Sequence, residues 1–175
     1  PQQWQTVENG MTNTHPSTHP KSNCSRCPRL VANREEMRQA QPDWHNDPVP
    51  SFGNLDAMLL VVGLAPGRAG ANRTGRPFTG DAAGDVLYPA LIRHGFASGA
   101  YGAEITDGLT LVNCRITNAV RCLPPGNKPT ISEVTTCRSF LAAELTAMPR
   151  LAAVLALGRI AHHTAVAALG ESQAV

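Results

Sequence analysis

The sequence has no long hydrophobic run, and this excludes several classes of protein. No stretch of its 175 residues approaches the roughly 20 apolar residues that a membrane-spanning helix needs. The N-terminal residues are rich in Gln, Thr, His and Pro and lack the apolar centre of a signal peptide. We therefore expect a cytoplasmic protein with no membrane partner.

Charge of one sign is also scarce. The formal net charge is only +2, which permits nucleic-acid binding without the strongly basic surface that would argue for it. The glycine-rich region contains no Gly-Lys-Ser or Gly-Lys-Thr sequence, which excludes a P-loop nucleotide site, and the chain shows no internal repeat. Its length fits a single domain that is large enough to bury a core.

One stretch, residues 63–81, organises the rest of the chain. It contains five glycines and two prolines, and it follows an apolar run at residues 57–62 that is typical of a buried parallel strand. Glycine lets the backbone approach a ligand closely, and open α/β sheets bind their ligands at the carboxyl ends of their strands. We therefore predict a ligand-binding loop here in preference to an ordinary surface loop.

The rest of the chain predicts alternating strands and helices. Residues 1–22 have turn chemistry without periodicity, which indicates a flexible tail before one domain at residues 23–175. Asp81 can cap a helix, and Thr130 with Glu133 forms a capping-box pattern. The order predicts a parallel sheet covered by helices, with helices at about 29–39, 81–94, 130–147 and 158–169 and further strands at 109–117 and 151–157.

Five cysteines in a cytoplasmic chain of this size indicate a metal site before they indicate disulfides. Four of them form two distant pairs, a C-x2-C and a C-x14-C: Cys24 and Cys27, and Cys122 and Cys137. Four thiolates suit either zinc or a [4Fe–4S] cluster, and the spacing alone does not decide between these two groups and simple buried thiols. The fifth, Cys114, lies within a predicted strand, where we expect it to pack in the core.

Five motifs carry a resemblance to a known family. They are Gly63-Leu-Ala-Pro-Gly67, Asn72-Arg-Thr-Gly-Arg76, Phe78-Thr-Gly-Asp81, Ile116-Thr-Asn-Ala-Val-Arg-Cys122 and Pro124-Pro-Gly-Asn127. Together with the spaced cysteines, these motifs resemble the iron–sulfur uracil-DNA glycosylases, in particular family 5 (type B). The sister family 4 usually has Glu after the first glycine of Gly-Glu-Ala-Pro-Gly, whereas this chain has Leu64.

The resemblance implies a fold, a reaction and a cofactor. The fold would be a three-layer α/β/α sandwich around a short parallel sheet of four strands. The reaction would be hydrolysis of the N-glycosidic bond of uracil in DNA, and possible further substrates are hypoxanthine and xanthine. The base would leave the duplex stack to enter the pocket. The implied cofactor is a [4Fe–4S] cluster on Cys24, Cys27, Cys122 and Cys137, the implied partner is duplex or single-stranded DNA, and we expect a monomer.

The resemblance also assigns residue roles, each with a structural alternative. Asp81 would position or activate the water and stabilise positive charge on the sugar, or it could simply cap a helix. Phe78 would stack on the base or belong to the core, and Asn118 would read the base edge or close a turn. The backbone at Ala65, Pro66 and Gly67 would contact the base, and the candidate phosphate contacts are Arg73, Arg76 and Arg121.

The chain departs from the family near its C-terminus. Family members carry a His-Pro-Ser motif after a fourth strand, and this sequence contains no such motif before Val175. The same letters occur at residues 15–17, where we attribute them to chance in a polar tail. We therefore expect a domain that is incomplete at its C-terminus and lacks its last strand. The alternative function is a catalytically impaired iron–sulfur protein that still binds DNA.

Overall fold

The computed structural model describes residues 17–170. Most of the predicted tail, including His15 and Pro16, lies outside these residues, and residues 17–22 form bends and a turn. None of the helices in the described part is long and apolar enough to cross a membrane. The elements are α1 (Pro28–Ala40), β1 (Leu59–Gly63), α2 (Ala71–Thr74), α3 (Ala82–Arg93), β2 (Ala97–Ser98), β3 (Thr110–Leu111), β4 (Cys114–Asn118), a 3-10 turn (Pro125–Asn127), α4 (Ile131–Thr146), β5 (Ala153–Ala156) and α5 (Arg159–Ala168).

Three parallel strands form the central sheet of the described residues, in the order β4–β1–β5. β1 lies in the middle because its side chains are apolar on both faces, as the uninterrupted run predicted. The register places Gly63, the last residue of β1, opposite Asn118, the last residue of β4. Both strands therefore deliver the following loop residues to the same edge of the sheet.

Helices cover both faces of this sheet. Val61 and Ile116 point to one face, where they pack against Leu87 and Leu91 of α3. The intervening β1 residues point to the other face and pack against α4 and α5, forming a second core cluster that includes Leu60, Val62, Leu141, Leu145 and Ala161. This arrangement confirms the predicted α/β/α sandwich.

A third and smaller core joins the N-terminal arm to α4. Leu30 of α1 packs with Val120, Cys137 and Phe140, and Cys24, Cys27 and Cys122 border the same cluster. These are segments that lie far apart in the sequence. The cysteine-bearing arm is therefore part of the folded domain.

Two sequence predictions were imprecise. The strand predicted at 109–117 is divided into β3 and β4, because Asn113 adopts a left-handed conformation with φ of 48°. β3 turns away to pair with β2 in a separate antiparallel ribbon, which the sequence did not predict. The glycine-rich stretch also contains one helical turn, α2, which ends at Gly75 with φ of 81°.

Candidate active site and cysteine-lined cavity

The carboxyl end of β1 brings two predicted site residues together. A Cβ atom on residue 63 would lie 2.4 Å from Oδ1 of Asn118 and 2.4 Å from Cζ of Phe78, so only glycine fits there. The Asn118 side chain is 3% exposed, and Phe78 is partly exposed. The tip of an aromatic ring and an amide therefore converge on the Gly63 backbone.

Phe78 is held in an unusual backbone conformation. Its φ is 56°, in the left-handed region that a bulky residue rarely adopts, and such residues persist only where their surroundings enforce them. Tyr101 supplies part of that support, because its hydroxyl donates to the Phe78 carbonyl and accepts from the Gly80 N–H, each at 3.2 Å. The Tyr88 hydroxyl donates to the Pro77 carbonyl at 2.6 Å. The loop is thus fixed on both sides of the ring.

Asp81 occupies the N-cap of α3, as predicted, and its second carboxylate oxygen is not used by the cap. Its Oδ1 accepts a hydrogen bond from the Gly84 N–H at 2.8 Å. Its Oδ2 faces the glycine-rich backbone, 3.4 Å from the position that a Cβ on Gly70 would take and 3.9 Å from that on Gly67. The cap therefore fixes the carboxylate and directs one oxygen along the loop.

The backbone at residues 65–67 leads from Gly63, which lies beside Phe78 and Asn118, to Gly67, which lies beside Asp81. Pro66 is buried and Gly67 is partly exposed, and Ala65 packs at the border of the third core cluster. The Gly67 carbonyl accepts from the Asn72 N–H at 3.0 Å, which closes the loop onto α2. The segment predicted to contact a base lies between the Phe78–Asn118 pair and Asp81.

Two of the three predicted phosphate contacts lie inside the protein. Arg76 is 3% exposed and forms a bidentate pair with Asp107, with N–O distances of 2.8 and 2.6 Å. Arg121 is 1% exposed and donates to Glu144 at 2.5 Å. This corrects the sequence interpretation, because both guanidinium groups are already neutralised by buried carboxylates. Arg73 is partly exposed and pairs with Glu104, which is at the surface.

The Arg76–Asp107 pair belongs to the support of the Phe78 loop. Arg76 also donates to the Thr79 hydroxyl at 3.0 Å. This hydrogen bond joins the residues on either side of Pro77 and Phe78. The Arg76 guanidinium and two further backbone N–H donors hold the pKa of the Asp107 carboxyl well below its usual range. No sequence pattern identifies this partner, because Asp107 lies 31 residues away in a connecting loop.

All four predicted ligand cysteines line one cavity between α1, the loop after β4, and α4. Leu30 and Phe140 form apolar parts of the wall, and Arg26 and Arg34 also border the cavity. Burial raises the pKa of the Cys122 thiol to about 12, and burial together with nearby thiols raises the pKa of Cys27. Burial also raises the pKa of the Cys137 thiol, so at these three positions nearby positive charge favours the thiolate. Cys114 is 1% exposed in β4, in the core as predicted.

Within the described part of the chain, no three His, Cys, Asp or Glu side chains come close enough to hold a single metal ion. The cysteines share a cavity without meeting at one point. In a [4Fe–4S] cluster each thiolate binds its own iron atom, so the four sulfurs do not have to meet at one ion. Arg34 is a buried cation at the same cavity, and its Nε has no hydrogen-bond partner. Four thiols around one cavity, with a buried cation beside them, are a donor set that suits a [4Fe–4S] cluster.

The sequence interpretation overlooked Arg34 and Tyr101. Arg34 could have been found, because it lies on the α1 face that carries buried Leu30 and Met37 at helical spacing and that begins beside Cys27. A charged residue on an apolar face is a recognisable signal. Tyr101 follows no pattern, since it lies in an irregular connection and acts through the backbone of a distant loop.

Comparison with known proteins agrees with the fold and the motifs. The sequence profile of the Uracil DNA glycosylase superfamily matches residues 50–173. The type-5 uracil-DNA glycosylase of Thermus thermophilus is 46% identical over 153 residues, which are 84% of this chain and 69% of that protein. The type-5 uracil-DNA glycosylase of Pyrobaculum aerophilum is 44% identical over 156 residues, 87% of this chain and 69% of that protein.

A type-4 relative is more distant. The type-4 uracil-DNA glycosylase of Pyrobaculum aerophilum is 33% identical over 140 residues, which are 79% of this chain and 57% of that protein. The same organism thus supplies a type-5 protein that is more similar to this chain than its type-4 protein is, in agreement with Leu64 in the first motif. From its fold, its motifs and these relatives, the chain belongs to the uracil-DNA glycosylase superfamily, on the side of the type-5 enzymes.

Proposed function

We propose that the protein hydrolyses the N-glycosidic bond of uracil in DNA and leaves an abasic site. The observation that carries this proposal is the meeting of the Phe78 ring and the Asn118 amide at Gly63, with the Asp81 carboxylate farther along the same loop. A flipped base needs a side chain to stack on and a polar group for its edge. A carboxylate near the sugar can stabilise the positive charge that develops there during bond cleavage. The family membership supports the same reaction.

The target base reaches this site by leaving the duplex stack. Unstacking costs a few kcal/mol, which stacking on Phe78 and hydrogen bonds to the base edge offset. Asn118 offers both a donor and an acceptor, so it can pair with the carbonyl and the N–H of uracil. Its burial excludes water that would compete for these bonds, and the backbone of residues 65–67 borders the base on the loop side.

Asp81 acts on the sugar and on the attacking water. Its Oδ1 is engaged by the α3 backbone, which leaves Oδ2 to orient the water and to stabilise positive charge that develops on the sugar. Capping and catalysis are compatible here because they use different oxygens. The catalytic residues of this proposal are therefore Asp81 and Asn118.

Arg73 is the candidate phosphate contact that remains. It lies at the surface on the glycine-rich stretch, and its present partner Glu104 is 54% exposed, so the pair can open at little cost. A phosphate contact positions the duplex without reading its sequence. We assign Arg76 and Arg121 to the support of the site.

We also propose that Cys24, Cys27, Cys122 and Cys137 bind a [4Fe–4S] cluster. The shared cavity and the buried Arg34 support this assignment. When bound there, a cluster would be held by these four cysteines and would cross-link the N-terminal arm, the loop after β4 and α4. The residues of the strand-end site then do the chemistry.

The experiment is single-turnover base release by the natural protein that contains these 175 residues. Its substrates are a duplex with one uracil and a matched duplex with thymine at that position. We expect release from the uracil duplex alone. Absence of release with DNA binding retained would contradict the proposal and would favour an iron–sulfur DNA-binding protein. A third duplex with hypoxanthine tests the wider substrate range, which follows from the same pocket because hypoxanthine also presents a carbonyl beside an N–H.

A further inference from the structure

Arg34 is a buried cation whose main partners are parts of the cysteine-lined cavity. It lies on α1, two helical turns beyond Cys27, and it is only 5% exposed. Removing a guanidinium from water costs several kcal/mol unless an anion or a set of acceptors compensates it. The partners of Arg34 therefore indicate which structural or binding role it has.

The partners of Arg34 are a sulfur atom and a carbonyl. Its Nη1 donates to Sγ of Cys122 at 3.8 Å, and its Nη2 donates to the carbonyl of Cys24 at 2.9 Å. Its Nε is buried without a hydrogen-bond partner. The Glu35 carboxylate lies 4.0 Å from Nε, beyond hydrogen-bond distance, and is 52% exposed. None of these three neighbours, Cys122, Cys24 and Glu35, neutralises the guanidinium in the way that Asp107 neutralises Arg76.

We propose that Arg34 is a binding residue of the cluster site, which donates to the Cys122 thiolate and balances the negative charge of the loaded cavity. Four thiolates outweigh the positive charge of an oxidised [4Fe–4S] core, so the loaded site is a buried anion. Arg34 joins the two ligand segments, because it binds a backbone atom of one and a sulfur of the other. The proposal rests on the cluster proposed above.

Three variants test this proposal in the iron-loaded protein. Arg34→Met keeps most of the volume and removes the charge and the donors. Arg34→Lys keeps the charge and loses the forked geometry. Arg38→Met is the matched control, because it removes the same charge one turn farther along α1, where the guanidinium pairs with Glu35 and Asp47 and donates to the Ser22 carbonyl but does not line the cavity.

The readouts are cluster bleaching by an iron chelator and the reduction potential of the cluster. We expect Arg34→Met to bleach about 10-fold faster or more, as for other outer partners of metal ligands. Its potential should be more negative, because a lost positive charge disfavours the reduced and more anionic form. Arg34→Lys should keep much of the wild-type potential, and Arg38→Met should match the wild type in both readouts.

Two results would overturn the proposal. One is Arg34→Met with unchanged bleaching and unchanged potential. The other is failure of both Arg34 variants to fold. Because Arg34→Lys retains the positive charge, that failure would show that Arg34 stabilises the arm by its shape and does not act through its charge at the cluster site. Wild-type protein that binds no iron and no inorganic sulfide would refute the cluster itself, and this outcome is distinguishable because it is seen before any substitution is made.

Discussion

The strand-end site and the cysteine-lined cavity use buried arginines differently. Around the strand-end site, Arg76 pairs with Asp107, and Arg121 shares Glu144 with Arg115. At the cavity, Arg34 meets a thiol and a carbonyl. Carboxylates of the protein therefore accompany the buried arginines of the first region. In the second region the buried cation lies beside the proposed cluster ligands and has no such carboxylate partner at hydrogen-bond distance among the described residues.

Cys122→Ala should have the largest effect. It removes one ligand from the cavity that joins three distant segments, so we expect loss of most bound iron and a markedly lower melting temperature. The matched control is Cys114→Ala, which removes a cysteine from the sheet core at β4, outside the cavity lining, and should keep its iron at a cost of about 1 kcal/mol. Iron content and thermal unfolding measure both. Equal iron in the two variants would remove the distinction between the regions.

Asp107→Asn should break the framework of the strand-end site. Removing one partner of a buried pair leaves the other charge uncompensated, which costs about 3 to 5 kcal/mol of unfolding free energy. The control is Glu104→Gln, which affects the exposed pair with Arg73 and should cost at most about 1 kcal/mol. Denaturant unfolding compares them. We also expect slower base release in Asp107→Asn, since the Phe78 loop loses support; similar unfolding free energies for the two variants would contradict this view of Arg76.

Acid should destabilise the protein through the same pair. Arg76 lowers the pKa of Asp107 in the folded state, so its contribution is fully present above the ordinary carboxyl pKa and is lost as the pH falls toward the folded value. The pKa of Glu133 is also lowered, chiefly by its hydrogen bonds with Arg29. We expect the unfolding free energy to fall from about pH 4 downward, with a smaller slope in Asp107→Asn. If the unfolding free energy of the wild type and of Asp107→Asn changed equally with pH, the Arg76–Asp107 pair would make no contribution to the pH dependence of stability.

Arg73→Gln should have the smallest effect. Loss of one phosphate contact weakens DNA binding similarly for all sequences and reduces the slope of log affinity against log salt by about 1. Arg150→Gln is the control, because this exposed residue precedes β5 and lies at the opposite edge of the sheet. Titrations at several salt concentrations give both slopes. The same slope for the two variants would exclude Arg73 as a contact.

The sequence predicted local features more reliably than distant pairs. The Asp81 cap and the Thr130–Glu133 capping box were confirmed because both depend on residues three positions apart. Arg76 and Arg121 were assigned to DNA because a buried partner cannot be read from a single segment, and their partners lie 31 and 23 residues away. The break between β3 and β4 was missed because Asn113 turns the chain through one left-handed residue.

The cysteine-lined cavity was partly predictable for a different reason. The thiol spacing predicts a shared site from the sequence alone, and a metal at that site stays a prediction. The gathering of Cys24, Cys27, Cys122 and Cys137 around one cavity depends on the packing of α1 against α4, which the spacing does not show. The contact between Arg34 and Cys122 could not be predicted, because these residues lie 88 positions apart and only the fold brings them together.

The most direct test of the proposed catalysis is single-turnover uracil release by Asp81→Asn. Asn is as good an N-cap as Asp, so this change should leave α3 and the melting temperature nearly unaffected while it removes the carboxylate. Asp81→Ala, which also loses the cap, should additionally cost about 1 kcal/mol of stability. We predict that base release by Asp81→Asn falls about 100-fold or more. Release at the wild-type rate from a folded Asp81→Asn protein would show that Asp81 is only a helix cap, and would contradict the proposed active site.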